Sequence, residues 1–469
     1  FKSIDNLFDP ITIEESFDDK ISGPVPGIRN TKGKWNLSGH PGRILTITQK
    51  ELLVFSKLFD SSLNWKEARL PVIHTKLLLP ILENLSNQKY TLESLGDNIF
   101  HTEMFHETNA QKDLIIKRHV HFPDNSLDTI YSGPHIQLAN PFFKCSRKIC
   151  TTKSDYDIID LTSIPENYRP RVNYSPYDFD SYENKIPITK VGGKYHSYYR
   201  IIMRRMLGPH SDRTLLPAII PKGFGHIHTI FGIYINKFLP IISACLMSIV
   251  YDFLIRSYGK SDLFFDTLKQ LPLLSETQYF NCLSLRALLL NCLTSDYAEL
   301  WSTEWNYEFS SDLWSKEDPR LSNHHFSNLT KEWSWKTPLR TDYARRQALI
   351  EIDVLTGMSL GLTLDQLQTI YRFEFPLLQS YENETYYDAN GRIVFTSNRA
   401  LNGVGFEKNE FDEIKDAKSG TFTRTIVDST LSDTPTEKVV KYIAPFDKCR
   451  REEDYITAWN FFSSKFSKT

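Results

Sequence analysis

An α+β chain, with a strand-rich part followed by a helical part, is predicted by three observations. Short apolar runs broken by Pro, Gly and Asn turns fill residues 91–235; apolar positions at helical spacing fill Leu239–Ala298; and a capped helical hairpin is written into 340–380. With 469 residues, the chain has room for about two or three folding units. The pattern divides it into a loop-rich lead-in with small helices (1–90), a strand-rich part (91–235), a helical part (236–400), and a polar excursion with a closing helix (401–469).

Up to about residue 45 the chain is rich in Gly, Pro and Asp and lacks sustained periodicity. Small amphipathic helices are expected at Thr48–Asp60 and His74–Leu85. Strands are expected at Leu114–Phe122, Ile136–Ala139, Tyr156–Leu161 and Leu215–Ile220, the last at a sheet edge because Pro217 cannot donate to a ladder. Between them, Arg200, Arg204 and Arg205 at i, i+4 and its neighbour read as a helix with Arg200 and Arg204 on one face, followed by a turn at Gly208-Pro209-His210. Phe238–Tyr251 is the most apolar window, but it is too short for a membrane span and reads as a buried helix.

The tryptophans Trp301, Trp305, Trp314, Trp333 and Trp335 sit among acids such as Glu299, Glu304 and Asp312, which favours stapling to the core over base stacking. In the hairpin, Thr341 or Asp342 caps a helix through Ser359, Gly361 closes it, and Thr363 with Gln366 forms a capping box. Arg345 and Arg346 are expected to pair with Glu351 or Asp342. Asp388-Ala389-Asn390-Gly391 is a hairpin-type turn before the strand Arg392–Thr396. Gly405–Glu437 reads as a flexible or long-loop excursion, and Arg451–Phe462 as the closing helix.

Net charge is −2 and the isoelectric point near 6.7, which excludes histone-like or tail-type nucleic-acid binders, so any DNA contact must come from local patches. Six scattered cysteines (Cys145, Cys150, Cys245, Cys282, Cys292 and Cys449) point to a reducing cytoplasm rather than a disulfide framework. Cys145 and Cys150 would need two more ligands to hold zinc, and His119, His121 and His135 are candidates by proximity alone. The chain opens on Phe1, as the trailing part of a longer polypeptide would.

Among common catalytic signatures, the nearest match to the Asp/Asn-Pro-Pro-aromatic loop of amino-methyltransferases is Asn140-Pro141-Phe142-Phe143. It lacks the second proline and a preceding glycine-rich turn, and reads as structural. Pro123-Asp124 and Glu413-Ile414-Lys415 are far apart, His106-Glu107 lacks a second zincin histidine, and GxSxG, Walker and dinucleotide fingerprints are missing.

Positive charge concentrates between Lys194 and His228. Six Lys/Arg (Lys194, Arg200, Arg204, Arg205, Arg213 and Lys222) face a single acid, Asp212, and four histidines add to them. Such a patch neutralises phosphates, unless acids elsewhere in the chain pair with it. The stretch YYRIIMRRMLGPHSDRTLLPAIIPKGFGHIHT (198–229), flanked by YSGPHIQLANPFFK (131–144), LRTDYARRQALIEIDVLTGMSLGLTLDQLQTIYRFEFPLLQSYE (339–382) and YYDANGRIVFT (386–396), resembles the C-terminal target-recognition region of large type IIG restriction-modification and BREX-like phage-defence DNA adenine methyltransferases. The resemblance covers roughly residues 74–405. It implies that duplex DNA is a partner, that the methylation motifs and SAM belong to an upstream methyltransferase core of the same polypeptide, and that this region carries no cofactor of its own.

On that footing Arg200, Arg204, Arg205, Arg213 and Lys222 are candidate phosphate contacts, His226 and His228 lie at the groove or are buried against backbone, and Lys144, Arg147 and Lys148 form a second patch. A stand-alone metal-dependent nuclease and a scaffold that docks a partner without touching nucleic acid remain alternatives.

Overall fold

Two four-stranded sheets organise the strand-rich stretch of the protein, an α+β chain whose computed structural model describes residues 2–3, 9–29, 34–60, 62–152, 154–208 and 211–467. In chain order the strands are β1 (Ile99–Thr102), β2 (Ile116–His121), β3 (Ile130–Tyr131), β4 (Val172–Pro176), β5 (Arg200–Arg204), β6 (Pro217–Ile220), β7 (Gly225–His226) and β8 (Ile230–Ile235). The first sheet runs β6-β5-β8-β1, antiparallel throughout, and the second β7-β3-β4-β2 with β7 parallel to β3.

The expected arginine helix is a strand. Arg200 and Arg204 do share a face, because a spacing of four satisfies both the helical and the alternating period. The intervening Ile201, Ile202 and Met203 are wholly buried between neighbours on both sides, and β-branched residues buried on both faces favour a central strand. Pro217 opens β6 at the sheet edge as expected, where its missing N–H costs no ladder bond. Ile136–Ala139 is not a strand: Ala139 takes φ 55° and its N–H bonds Pro217 O at 2.8 Å. Pro209 and His210 of the expected turn lie outside the described residues.

The helical part is set on the edge of the first sheet. Helices α1 (Leu239–Met247) and α2 (Ile249–Ser257) are buried at every residue and meet at 67°. They pack with α3 (Phe280–Asn291), α4 (Asp342–Ser359) and α5 (Leu364–Glu374), and α6 (Arg451–Phe466) closes over α4 and α5. Among the described residues no single helix is long and apolar enough to cross a membrane. The expected hairpin is present: Thr363 and Gln366 exchange capping bonds, and Gly361 takes φ 74°, which a side chain disfavours. One continuous apolar cluster runs from Leu45 to Phe462 across the sequence-defined boundaries.

Buried arginines bind this core together. Arg286 of α3 meets Glu351 of α4 at 2.5 Å and Asp312 at 2.7 Å, while Arg346 and Arg451 share Glu382 and reach Asp454 and Asp353. This corrects two pairings: Glu351 is taken by Arg286, and Arg345 spends its guanidinium on the carbonyls of Leu290, Leu339 and Ala139. The tryptophans are staples, with the indole N–H of Trp301, Trp333 and Trp335 donating to Thr330, Cys292 and Ile164 carbonyls.

The largest departure lies in Gly405–Glu437. A short helix, Lys408–Ile414, precedes strand β9 (Thr421–Asp428), which pairs antiparallel with β10 (Thr436–Ile443) over eight residues each. The inward residues Ile426, Val440 and Tyr442 are shielded, whereas Thr421, Thr423 and Thr425 face water. A small satellite core of Val394, Phe411, Val440, Tyr442 and Phe446 roots the ribbon.

Candidate nucleic-acid interface

A cleft of about 670 Å³ opens where three distant stretches meet: residues 140–162, the start of α4 with Arg340, and 392–442 including the ribbon. Eight Lys/Arg and four Asp line it, so its walls carry a net positive charge although the chain as a whole does not.

The ribbon β9–β10 spans this cleft and is fastened at both ends. At its root, Ile443 exchanges bonds with Ala389 N and the Asp388 carboxylate. Midway, Lys438 donates to Asp160 at 2.8 Å and Ser163 at 2.7 Å. At its tip, Ser429 donates to Asp157, Tyr168 to Thr430 O, and Arg171 to Asp433 and Ser432 O.

The lining cations fall into two groups. Arg340 and Arg345 are occupied by backbone carbonyls, Arg392 and Lys438 by Asp160, and Arg424 by the Gly403 and Gly405 carbonyls. Lys144 and Arg399 are not: no carboxylate pairs with either among the described residues. The Lys144 ammonium lies 5.1 Å from the centre of the Phe143 ring, and burial together with Arg204 pulls its pKa down against the opposing charge of Asp157. Arg399 is exposed, as are Arg147, which holds Asp157 at 2.8 Å, and Lys148. An ammonium whose charge is destabilised by burial and by a second cation gains from any anion that reaches it.

Two carboxylates in the cleft are pushed apart. Burial raises Asp342 to about 6, against the bond it accepts from Ile393 N. Burial acts the same way on Asp160, but Arg392 and Lys438 outweigh it and hold that carboxyl well below the usual range.

The sequence patch at 194–228 is largely internal, which corrects its expected role. Arg200 is fully buried, donating to the carbonyls of Tyr198, Pro221 and Phe224 at 2.7–2.8 Å. Arg204 donates to Gly133 O and Ile136 O, and burial lowers it to about 10. Arg213 is buried on Asp252 at 2.7 Å and on Met247 O. His226 is buried beside the Tyr195 hydroxyl, and burial with Arg200 nearby lowers it to about 3, so it is neutral. Arg200, Arg213 and His226 are too buried to meet a phosphate, and Arg204, half-buried, spends its donors on these carbonyls.

Arg205 pairs with Glu103 and Asp262, and Lys222 with Glu299. His228 accepts from Glu107 N through Nδ1 and stacks on His106 at 4.4 Å. These three remain partly accessible but are already partnered. Only Lys144 and Arg147 of the candidates line the cleft, with Lys148 beside them; sequence reasoning missed Arg399 and the ribbon. The alternation Thr421, Thr423, Thr425 was the local signal for the latter.

In Asn140-Pro141-Phe142-Phe143 the Asn140 carboxamide accepts from Phe142 N and both rings are buried, the geometry of a structural turn. All six cysteines are buried free thiols, and no group of three or more His, Cys, Asp or Glu among the described residues is placed to share a metal ion.

No protein-family model matches the chain, and no curated protein matches its sequence.

Proposed function

We propose that this chain is the DNA target-recognition part of a SAM-dependent adenine methyltransferase of the restriction-modification kind, working in the bacterial cytoplasm beside a methyltransferase core that holds SAM. The observation that carries this reading is the cationic cleft mouth, where no carboxylate among the described residues pairs with Lys144 or Arg399 and Arg147 and Lys148 extend the charge along the rim. Such a rim holds duplex phosphates, whereas Arg200 and Arg213 serve the interior of the fold.

The test is duplex binding across a salt series for the natural chain and for a variant with Lys144, Arg147, Lys148 and Arg399 all changed to Gln. Each lost phosphate contact lowers the slope of log affinity against log salt by about 0.9, so the slope should fall by roughly two to four. Equal affinity and slope for both proteins would remove the cleft mouth from DNA recognition.

A further inference from the structure

The cleft is too small for a duplex. At about 670 Å³ it falls within the roughly 300–1,000 Å³ typical of sites that enclose one small molecule. Its roof, the ribbon β9–β10, is fastened at root and tip, so the space beneath has a fixed ceiling. Of its twelve charged residues, the four acids are all engaged: Asp157 by Arg147 and Ser429, Asp160 by Arg392 and Lys438, Asp342 by Ile393 N, and Asp428 by Thr430. Among the described residues, the lining cations whose side chains meet neither a carboxylate nor a carbonyl are Lys144 and Arg399, with Arg147, held by Asp157, at the rim.

We infer that the cleft takes a single nucleoside monophosphate unit, its phosphate held by Lys144 and Arg399 at the mouth and its base beneath the ribbon. Anions of other shapes satisfy the two cations equally, but the remaining space of the cleft, where Ile426, Val440 and Tyr442 stand beside polar groups such as Thr162, Asn402 and Thr430, suits a body that joins apolar faces to polar edges, as a nucleobase does. The unit can come from an unpaired nucleotide in a DNA strand or from a free nucleotide. The first source rests on the proposed DNA-binding function; the second does not.

The experiment compares a short duplex, the same duplex with a single-nucleotide bulge, and free dAMP, each with the natural chain and with Lys144→Gln and Arg399→Ala. Affinity is read at low salt for the DNAs, and the melting temperature for dAMP. An extrahelical nucleotide spares the unstacking cost, so the bulged duplex should bind tighter by about tenfold, and both variants should abolish the preference. A rise in melting temperature with dAMP that the variants remove, without a bulge preference, assigns the cleft to a free nucleotide. The absence of both a bulge preference and a dAMP shift overturns the inference, whether or not the plain duplex binds; failure of the plain duplex to bind counts separately against the DNA-recognition reading. Because Arg399 is exposed, its variant keeps the test meaningful if Lys144→Gln disturbs the fold.

Discussion

Arg171, itself buried, reaches Asp433 at 3.2 Å and thereby fixes the tip of the ribbon to the strand-rich part, with a second donor on Ser432 O at 2.9 Å. Its other Nη serves Ser146 O at 2.7 Å. The two partners of the ion pair are unequal: Asp433 is largely exposed and Arg171 is not.

Changing the two residues should therefore have different consequences. Asp433→Ala leaves Arg171 with two carbonyl partners and should cost less than about 1 kcal/mol, as exposed ion pairs do. Arg171→Leu strands Ser146 O and Ser432 O and should cost about 2–4 kcal/mol in urea unfolding. It should also speed hydrogen exchange at 429–435, the ribbon tip. Equal costs for the two variants would mean that the ribbon is held elsewhere.

Arg200 belongs to the fold and not to a DNA-binding surface. Arg200→Met removes the donor for Tyr198, Pro221 and Phe224 carbonyls and should lower stability by about 3–5 kcal/mol. DNA affinity per folded molecule should stay within about twofold of the natural chain. A stable Arg200→Met protein with lost DNA affinity would contradict the burial of this side chain.

What the sequence made legible was local. Thr363 and Gln366 lie three residues apart, and their capping bonds need no other part of the chain. Arg200 and Arg204 were ambiguous for a physical reason: a separation of four fits both periods, and only the β6 and β8 neighbours decide the matter. The patch misled because the partners of its arginines are backbone carbonyls or the distant Glu103, Asp252 and Asp262, which leave no mark in a count of charges within 194–228. Of the cleft only the Lys144, Arg147 and Lys148 patch was legible, since Lys144 and Arg399 line one cavity only through folding.

Acid should unfold the protein through its buried carboxylates. Burial opposes the charge of Glu382 and Asp312, but Arg346 and Arg451 around the first, and Arg286 and Lys465 around the second, prevail and lower each to about 2. Their ordinary values are 4.5 and 3.8. A carboxyl depressed by folding stabilises above its unfolded value and loses that contribution as pH falls through its folded one. Urea midpoints should therefore drop steeply between pH 4.5 and 2. Glu382→Gln should be less stable at neutral pH and show a shallower drop. An unchanged acid profile in that variant would take Glu382 out of the account.

Asp342 has the opposite sign. Folding raises its carboxyl from 3.8 to about 6, chiefly by burial, with Asp160 adding to the effect. Its contribution to stability is full below 3.8 and is lost as pH rises through about 6. Asn copies the neutral acid and keeps an oxygen to accept the Ile393 N–H, a bond of 3.0 Å. Asp342→Asn should match the natural chain near pH 4 and melt at a higher temperature at pH 7 and above, with the difference opening above about 3.8 and complete once pH has passed about 6. A variant less stable at pH 7 than at pH 4, relative to the natural chain, would mean that the ionised carboxylate is welcome in the cleft, and that Arg392 and Arg345 serve Asp342 as well as Asp160 and the backbone.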